Sequence, residues 1–189
     1  MINDILLLES LNKYYAKEYN KKRLISILKG NKCISLRSID WFITNYSKKN
    51  NIYYLIYTTP TGRSTFCEKN NIFYTSLNVY HSYKSQLKAY SKKRFDPFCR
   101  RDRIRFKCDD HILETTIGQL NFFKWAINNL VVDYIIDNKE KIETDMNNCL
   151  KKTKEKCIKN GIRKKRQELS LSATRGLNHN KILIQLDFN

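Results

Sequence analysis

The chain has 189 residues, enough for one ordinary hydrophobic core, and only five Gly and two Pro, which excludes long flexible linkers and Pro-rich or collagen-like tracts. Its 36 Lys/Arg against 18 Asp/Glu give a net charge of +18, and no apolar run approaches the roughly 18 residues that a membrane helix needs. Most of that charge is clustered. Lys84–Lys107 carries ten Lys/Arg against two acids, Lys151–Arg166 carries nine against one, and Cys108–Leu150 between them is net acidic.

Ile5, Leu8, Leu11 and Tyr15, then Leu24, Ile25, Ile27 and Leu28, predict helix over residues 1–29, with Gly30-Asn31 as its stop. Asp4 and Glu9 bracket the run Ile5–Leu8, which does not read as a secretory signal. Ile39, Phe42, Ile43 and Tyr46 follow i, i+3, i+4, i+7 spacing and predict a second helix, with Ser38 placed to cap it. The β-branched and aromatic run Ile52–Thr58 predicts a strand, Thr59-Pro60-Thr61-Gly62 a turn, and Ser64–Cys67 and Ile72–Leu77 two more strands of a β-meander.

Helical spacing returns in Tyr80, Tyr83, Leu87 and Tyr90, beside lysines at 84, 88 and 92, and Phe95-Asp96-Pro97-Phe98 ends this helix in a turn. Arg101, Arg103, Arg105 and Lys107 then alternate with Asp102, Ile104, Phe106 and Cys108, a period of two that predicts a strand with one basic face. Thr116-x-x-Gln119 is a capping box opening a helix whose buried face is Leu120, Phe123, Ile127, Leu130, Val131 and Tyr134, with Asn128-Asn129 as a break or bend. A polar helix spans 139–160 and Ile182–Phe188 reads as a closing strand. The fold class is α+β, with helices packed on a small antiparallel sheet and a helix-rich C-terminal half. The expected organisation is a compact domain over 1–150, a basic helix end and arm over 151–168, and a tail with the closing strand over 169–189.

Clustered cations are the electrostatic footprint of a polyanion, and nucleic acid is the commonest one. The expected phosphate contacts are Lys84, Lys88, Lys92, Lys93, Arg94, Arg100, Arg101, Arg103 and Arg105, with a second arm at Arg163, Lys164, Lys165 and Arg166. The alternatives are a solvated basic face, or pairing with the acidic stretch between the clusters. Tyr80, Tyr83, Tyr90, Phe95 and Phe98 have the character of a base-stacking platform, although aromatics at helical spacing normally face the core.

Six scattered cysteines with no CxxC pair read as reduced thiols. Cys99, Cys108 and His111 have zinc-like spacing but lack a fourth neighbour. Asp109, Asp110 and Glu114 are the carboxylates that a Mg²⁺-dependent nuclease would use, and no nucleophile, P-loop or HExxH pattern accompanies them. The expectation is therefore a soluble, non-catalytic binder with no cofactor and no membrane partner.

Arg37–Lys49, Val79–Arg101 (with its run Lys92-Lys93-Arg94-Phe95-Asp96-Pro97-Phe98-Cys99-Arg100-Arg101) and Glu114–Ile127 resemble a family of small, functionally uncharacterised proteins shared among nucleocytoplasmic large DNA viruses. The resemblance carries no catalytic residues. It implies a host-cytoplasmic virus factory or a virion as the setting, with a nuclear location left open. DNA or RNA is the expected partner, in transcription or genome packaging. The alternative function is a virion or assembly protein whose basic faces meet acidic viral proteins.

Overall fold

A computed structural model of the chain describes residues 2–29, 34–59, 64–66, 74–108 and 111–159, with the side chains of 2–3, 108, 111 and 153–159 outside that description. The elements run α1 (Ile2–Tyr15), α2 (Glu18–Leu28), α3 (Leu36–Trp41), a π-helical turn (Phe42–Tyr46), α4 (Ser47–Lys49), β1 (Tyr53–Thr58), β2 (Ser64–Phe66), β3 (Thr75–Asn78) and α5 (Val79–Arg94). Then follow β4 (Ile104–Cys108), β5 (His111–Thr115), α6 (Ile117–Asn128), α7 (Val131–Asp137) and α8 (Lys139–Lys159). This is an α+β fold, as the residue pattern predicts. The chain divides into two units, Met1–Asn148 and Cys149–Asn189; of the second, the described part is the C-terminal end of α8. The predicted arm at Arg163–Arg166 and the closing strand at Ile182–Phe188 lie outside the described residues.

The core is built round α6. Its residues 118–123 and 125–127 are all buried, and α1, α2, α5 and α7 pack about it. The predicted face of Leu120, Phe123 and Ile127 is inside, but so are Phe122, Trp125 and Ala126, because a helix that is apolar nearly all round is buried all round. Polar groups along it are satisfied locally. Tyr15 donates its hydroxyl to the Leu120 carbonyl at 2.8 Å, and the half-buried Tyr14 reaches Asn128 Oδ1 at 2.7 Å. Burial raises the Tyr14 phenol above its ordinary range. Asn128-Asn129 does interrupt the helix, and the break is completed by Leu130 at φ 52°, a left-handed conformation imposed on a buried leucine.

Local capping departs from the expected pattern in two places. Ser35, not Ser38, caps α3, accepting the Ser38 N–H at 3.0 Å, while Ser38 is buried and shares a hydrogen bond with Ser35 Oγ. Within and just after the π-helical turn that follows, hydroxyls bond back four residues, Thr44 Oγ1 to the Asp40 carbonyl and Ser47 Oγ to the Ile43 carbonyl. Such back-bonding competes with the α-helical ladder and bends it. At α6, Thr116 accepts the Gln119 N–H at 3.0 Å, the first half of a capping box. The Gln119 side chain does not return the bond. It accepts from Thr115 Oγ1 and donates to the Pro97 carbonyl at 2.9 Å, fastening the turn after α5.

The first three strands do not form a meander. The order is β2-β1-β3, all antiparallel, with Ile56 opposite Phe66 on one side of β1 and Tyr54 opposite Leu77 on the other. β1 holds the centre because it contributes the inward anchors. Ile56 is buried, and Tyr54 stacks on Tyr134 with centroids 5.2 Å apart and donates to the Asn129 carbonyl at 2.6 Å. β4 and β5 form a separate two-stranded sheet.

Gly118, in the first turn of α6, lies against the chain leaving α5. A Cβ there would stand 2.9 Å from the Lys93 carbonyl oxygen and 3.3 Å from the Arg94 carbonyl carbon. Both are backbone atoms, which cannot swing aside as a flexible side chain does. Gly118→Ala is therefore expected to lower the unfolding free energy by about 1–3 kcal/mol through overpacking, although Ala ordinarily favours a helix by up to about 1 kcal/mol. Urea denaturation measures the difference, and a stabilised variant would remove this contact from the account.

Candidate nucleic-acid interface

The basic region starts on α5. Asn78 caps it by accepting the His81 N–H at 3.0 Å, and Val79 and Tyr83 are buried while Leu87 and Tyr90 pack partly against the core. That fixes the opposite side outward, so Lys84 and Lys88 are exposed. The helix then breaks at Ser91, at φ 57° and ψ 169°, a region that side-chain-bearing residues rarely enter. The cause lies four residues on. Phe95 is 1% exposed among Tyr83, Phe122 and Trp125, Asn121 Nδ2 donates to the Arg94 carbonyl at 2.9 Å, and the Asp96 N–H reaches the Gly118 carbonyl at 3.3 Å. The segment is pinned to α6 and cannot continue α5. The expected stripe of Lys84, Lys88 and Lys92 therefore ends at Lys88; Lys92 and Lys93 are exposed beyond the kink, out of helical register.

The expected contact residues separate by what they touch. Arg94 Nε bonds Asp4 Oδ1 at 2.5 Å, and this hydrogen bond holds the Asp4 carboxyl below its ordinary range. Arg100 forks onto the buried Asp96 at 2.9–3.1 Å and lies 4.7 Å from the Phe98 ring centre. Arg103 pairs with Glu114 across the surface at 2.5 Å. Lys84, Lys88, Lys92, Lys93, Arg101, Arg105 and Lys107 are exposed and make no ion pair among the described residues, although Lys92 lies near Asp40, Lys93 near Asp4, and Arg105 opposite Glu114 across the two strands. The alternation predicted for β4 is present, with Phe106 buried, Ile104 half-buried, and Arg105 and Lys107 outward.

The aromatics resolve toward the core. Tyr83 and Phe95 are buried, Tyr90 stacks beside Phe95, and Phe98 lies under Arg100. Tyr80 is half-buried, with Lys84 over its ring at 5.8 Å and Lys48 at 5.6 Å. Lys48 thus joins the basic surface through the packing of α4 on α5. It stands far from the cluster in sequence, and only the tertiary fold brings it there. A further grouping surrounds the start of α6, where Lys93 and Arg101 line a cavity of about 120 Å³ with Asp4 and Asp102. The positive end of a helix macrodipole adds to the field there.

Other candidates gain no assembled site. Cys99 is half-buried, and Cys108 and His111 are cross-strand partners whose side chains lie outside the described residues. Among the described residues no three His, Cys, Asp or Glu converge as a metal-holding group. Asp109 and Asp110 lie outside the described residues, and Glu114 is engaged by Arg103.

Asp40, half-buried on α3, sits close to Lys92, Asp96, Arg100 and Tyr83. Burial raises its carboxyl above the ordinary range, Arg100 and Lys92 oppose the rise, and Asp96 adds to it. A carboxylate raised in the folded state contributes stability below its unfolded value and loses that contribution as pH rises through the folded one. Asp40→Asn is accordingly expected to raise the melting temperature at pH 7 and to leave it unchanged near pH 3. Thermal unfolding across that range tests this, and a gain confined to acid would reverse the assignment.

Comparison with known proteins places the chain. The family described as "Family of unknown function (DUF7197)" matches residues 2–189. A relative, "Uncharacterized protein L507" of Acanthamoeba polyphaga mimivirus, is 40% identical over 160 residues, which cover 81% of this chain and 57% of that protein. The chain thus spans little more than half the length of the curated relative it matches. No solved structure matches it. No described helix is long and apolar enough to cross a membrane. The likeness to a giant-virus family read from Arg37–Lys49, Val79–Arg101 and Glu114–Ile127 agrees with the mimivirus relative, and the chain belongs to the DUF7197 family.

Proposed function

We propose that this protein binds nucleic acid through the surface of α5, the Lys92–Arg105 segment and β4, without doing chemistry on it, in viral transcription or genome packaging. The setting in this reading is a virus factory in the host cytoplasm, or the virion. The supporting observation is how charge is allotted. Asp4, Asp96 and Glu114 are each engaged by one arginine, Arg94, Arg100 and Arg103, while seven exposed cations make no ion pair among the described residues and outnumber the remaining nearby acids, Asp40 and Asp102. Unpaired surface cations cost little to solvate and gain by displacing counterions from phosphate. Arg101 and Arg105 add forked donors that fit two phosphate oxygens.

The purified protein is expected to bind single-stranded or duplex DNA or RNA with a steep salt dependence. For about six neutralised phosphates, log K against log salt has a slope on the order of −5. Affinity absent at low salt, or flat between low and physiological salt, would remove this reading.

The paired and unpaired cations should separate under mutation. Replacing Lys92, Lys93, Arg101 and Arg105 together with Gln weakens binding at least tenfold with little change in melting temperature, because exposed charges outside ion pairs contribute little to the fold. Arg100→Gln instead costs about 2 kcal/mol of stability, since the buried Asp96 carboxylate loses its charged hydrogen bonds. Fluorescence anisotropy and urea denaturation read the two effects. A quadruple variant that unfolds, or binds undiminished, would contradict the assignment.

A further inference from the structure

We propose that the cavity between the C-terminal end of α1 and the edge of β4 left unpaired among the described residues holds a single nucleoside phosphate. The site deepens the nucleic-acid reading and rests on it, since Arg105 belongs to both. The cavity is about 610 Å³, within the range of small-molecule sites and too small for a duplex.

Its wall on the β4 side is formed by Ile104, Arg105, Phe106 and Lys107 in succession. Side chains of a strand alternate between its two faces, so a cavity bounded by four consecutive residues meets the strand's edge. β5 occupies the other edge, pairing from Ile104–Thr115 through Cys108–His111. On the cavity side alternate residues of β4 turn backbone N–H and C=O outward. These are donors and acceptors at fixed spacing, suited to the edge of a base or to sugar hydroxyls.

The charge of the cavity defines the other half of the ligand. Among the described residues Lys21, Arg105 and Lys107 line it and no carboxylate does. Lys21 is 13% exposed and shares its ammonium with Glu18 at 2.9 Å, whereas Arg105 and Lys107 make no ion pair among the described residues, Glu114 opposite Arg105 being engaged by Arg103. Two cations on the β4 wall, neither in an ion pair among the described residues, call for a dianion, which a phosphomonoester supplies near neutral pH. The opposite wall combines Leu8 and Ala16 with the Asn12 side chain. Inorganic phosphate would fill a small part of this volume and leave that wall bare. A base and sugar fill it, with the phosphate at Arg105 and Lys107.

The test is calorimetric titration of the full-length protein with AMP, with adenosine as the uncharged control. The expected result is one saturable site, at least tenfold weaker for adenosine. Ala16→Phe, an exposed position at the end of α1, fills the cavity and abolishes AMP binding. The Arg105→Gln, Lys107→Gln double variant weakens it at least tenfold, and carries the test if the Phe variant fails to fold. No saturation by millimolar AMP, or AMP binding undiminished in folded variants, would overturn the site. AMP binding without polymer binding keeps the cavity and overturns the wider interface; polymer binding without AMP binding does the reverse. Displacement of AMP by a 5′-phosphorylated oligonucleotide, and not by its unphosphorylated twin, supports the site with a strand end as the source. AMP binding that neither oligonucleotide displaces supports it with the free nucleotide as the source.

Discussion

The close approach of two backbones at Gly118 is the constraint on which the arrangement of this molecule depends. With no Cβ in the way, the chain leaving α5 lies directly on the first turn of α6. Asn121 then reaches the Arg94 carbonyl and Gln119 the Pro97 carbonyl, so the segment is held by side chains of the same helix. Phe95 enters the aromatic cluster of Tyr83, Phe122 and Trp125 as a result. The left-handed turn at Ser91 is the local cost of that docking. Because the docked residues are followed immediately by the arginines, the same contact sets where the basic surface lies.

Much of the architecture was legible because periodicity reports burial directly. The alternation of Ile104 and Phe106 with Arg105 and Lys107, the capping Thr116, and the inward Ile39, Phe42 and Ile43 are all read from spacing. What spacing could not give is what depends on a partner distant in sequence. The sheet order β2-β1-β3 turns on Tyr54 finding Tyr134, and no local pattern encodes that meeting. Spacing does not single out Ser35 as the cap, because Ser35 and Ser38 both suit the role and burial separates them. Ser91 carries no local mark of its conformation; the force that produces it comes from α6.

The candidate interface shows the same division more sharply. Charge clustering located it, but composition treats every cation alike. Packing draws Arg94, Arg100 and Arg103 to acids and leaves Arg101 and Arg105 unpaired among the described residues, a distinction invisible in a run of alternating arginines. Lys48 and Lys21 join the basic surfaces from helices far away in sequence, one over Tyr80 and the other beside β4. Counting charges therefore marks the basic region but does not say which of its cations are held in ion pairs.

The bond from Tyr15 to Leu120 spans 105 residues, and the separation matters to a chain emerging from a ribosome. Leu11, Tyr15 and Leu24, all fully or almost fully buried in the finished fold, leave the exit tunnel well before the α6 residues against which α1 and α2 pack. At about 5–20 residues per second, that interval is on the order of 5–20 s. During it the nascent N-terminal helices expose their apolar faces, and chaperone holding or internal collapse must bridge the wait. A fold whose central helix is synthesised late thus has a built-in window of vulnerability, and translation speed over the intervening residues sets its length.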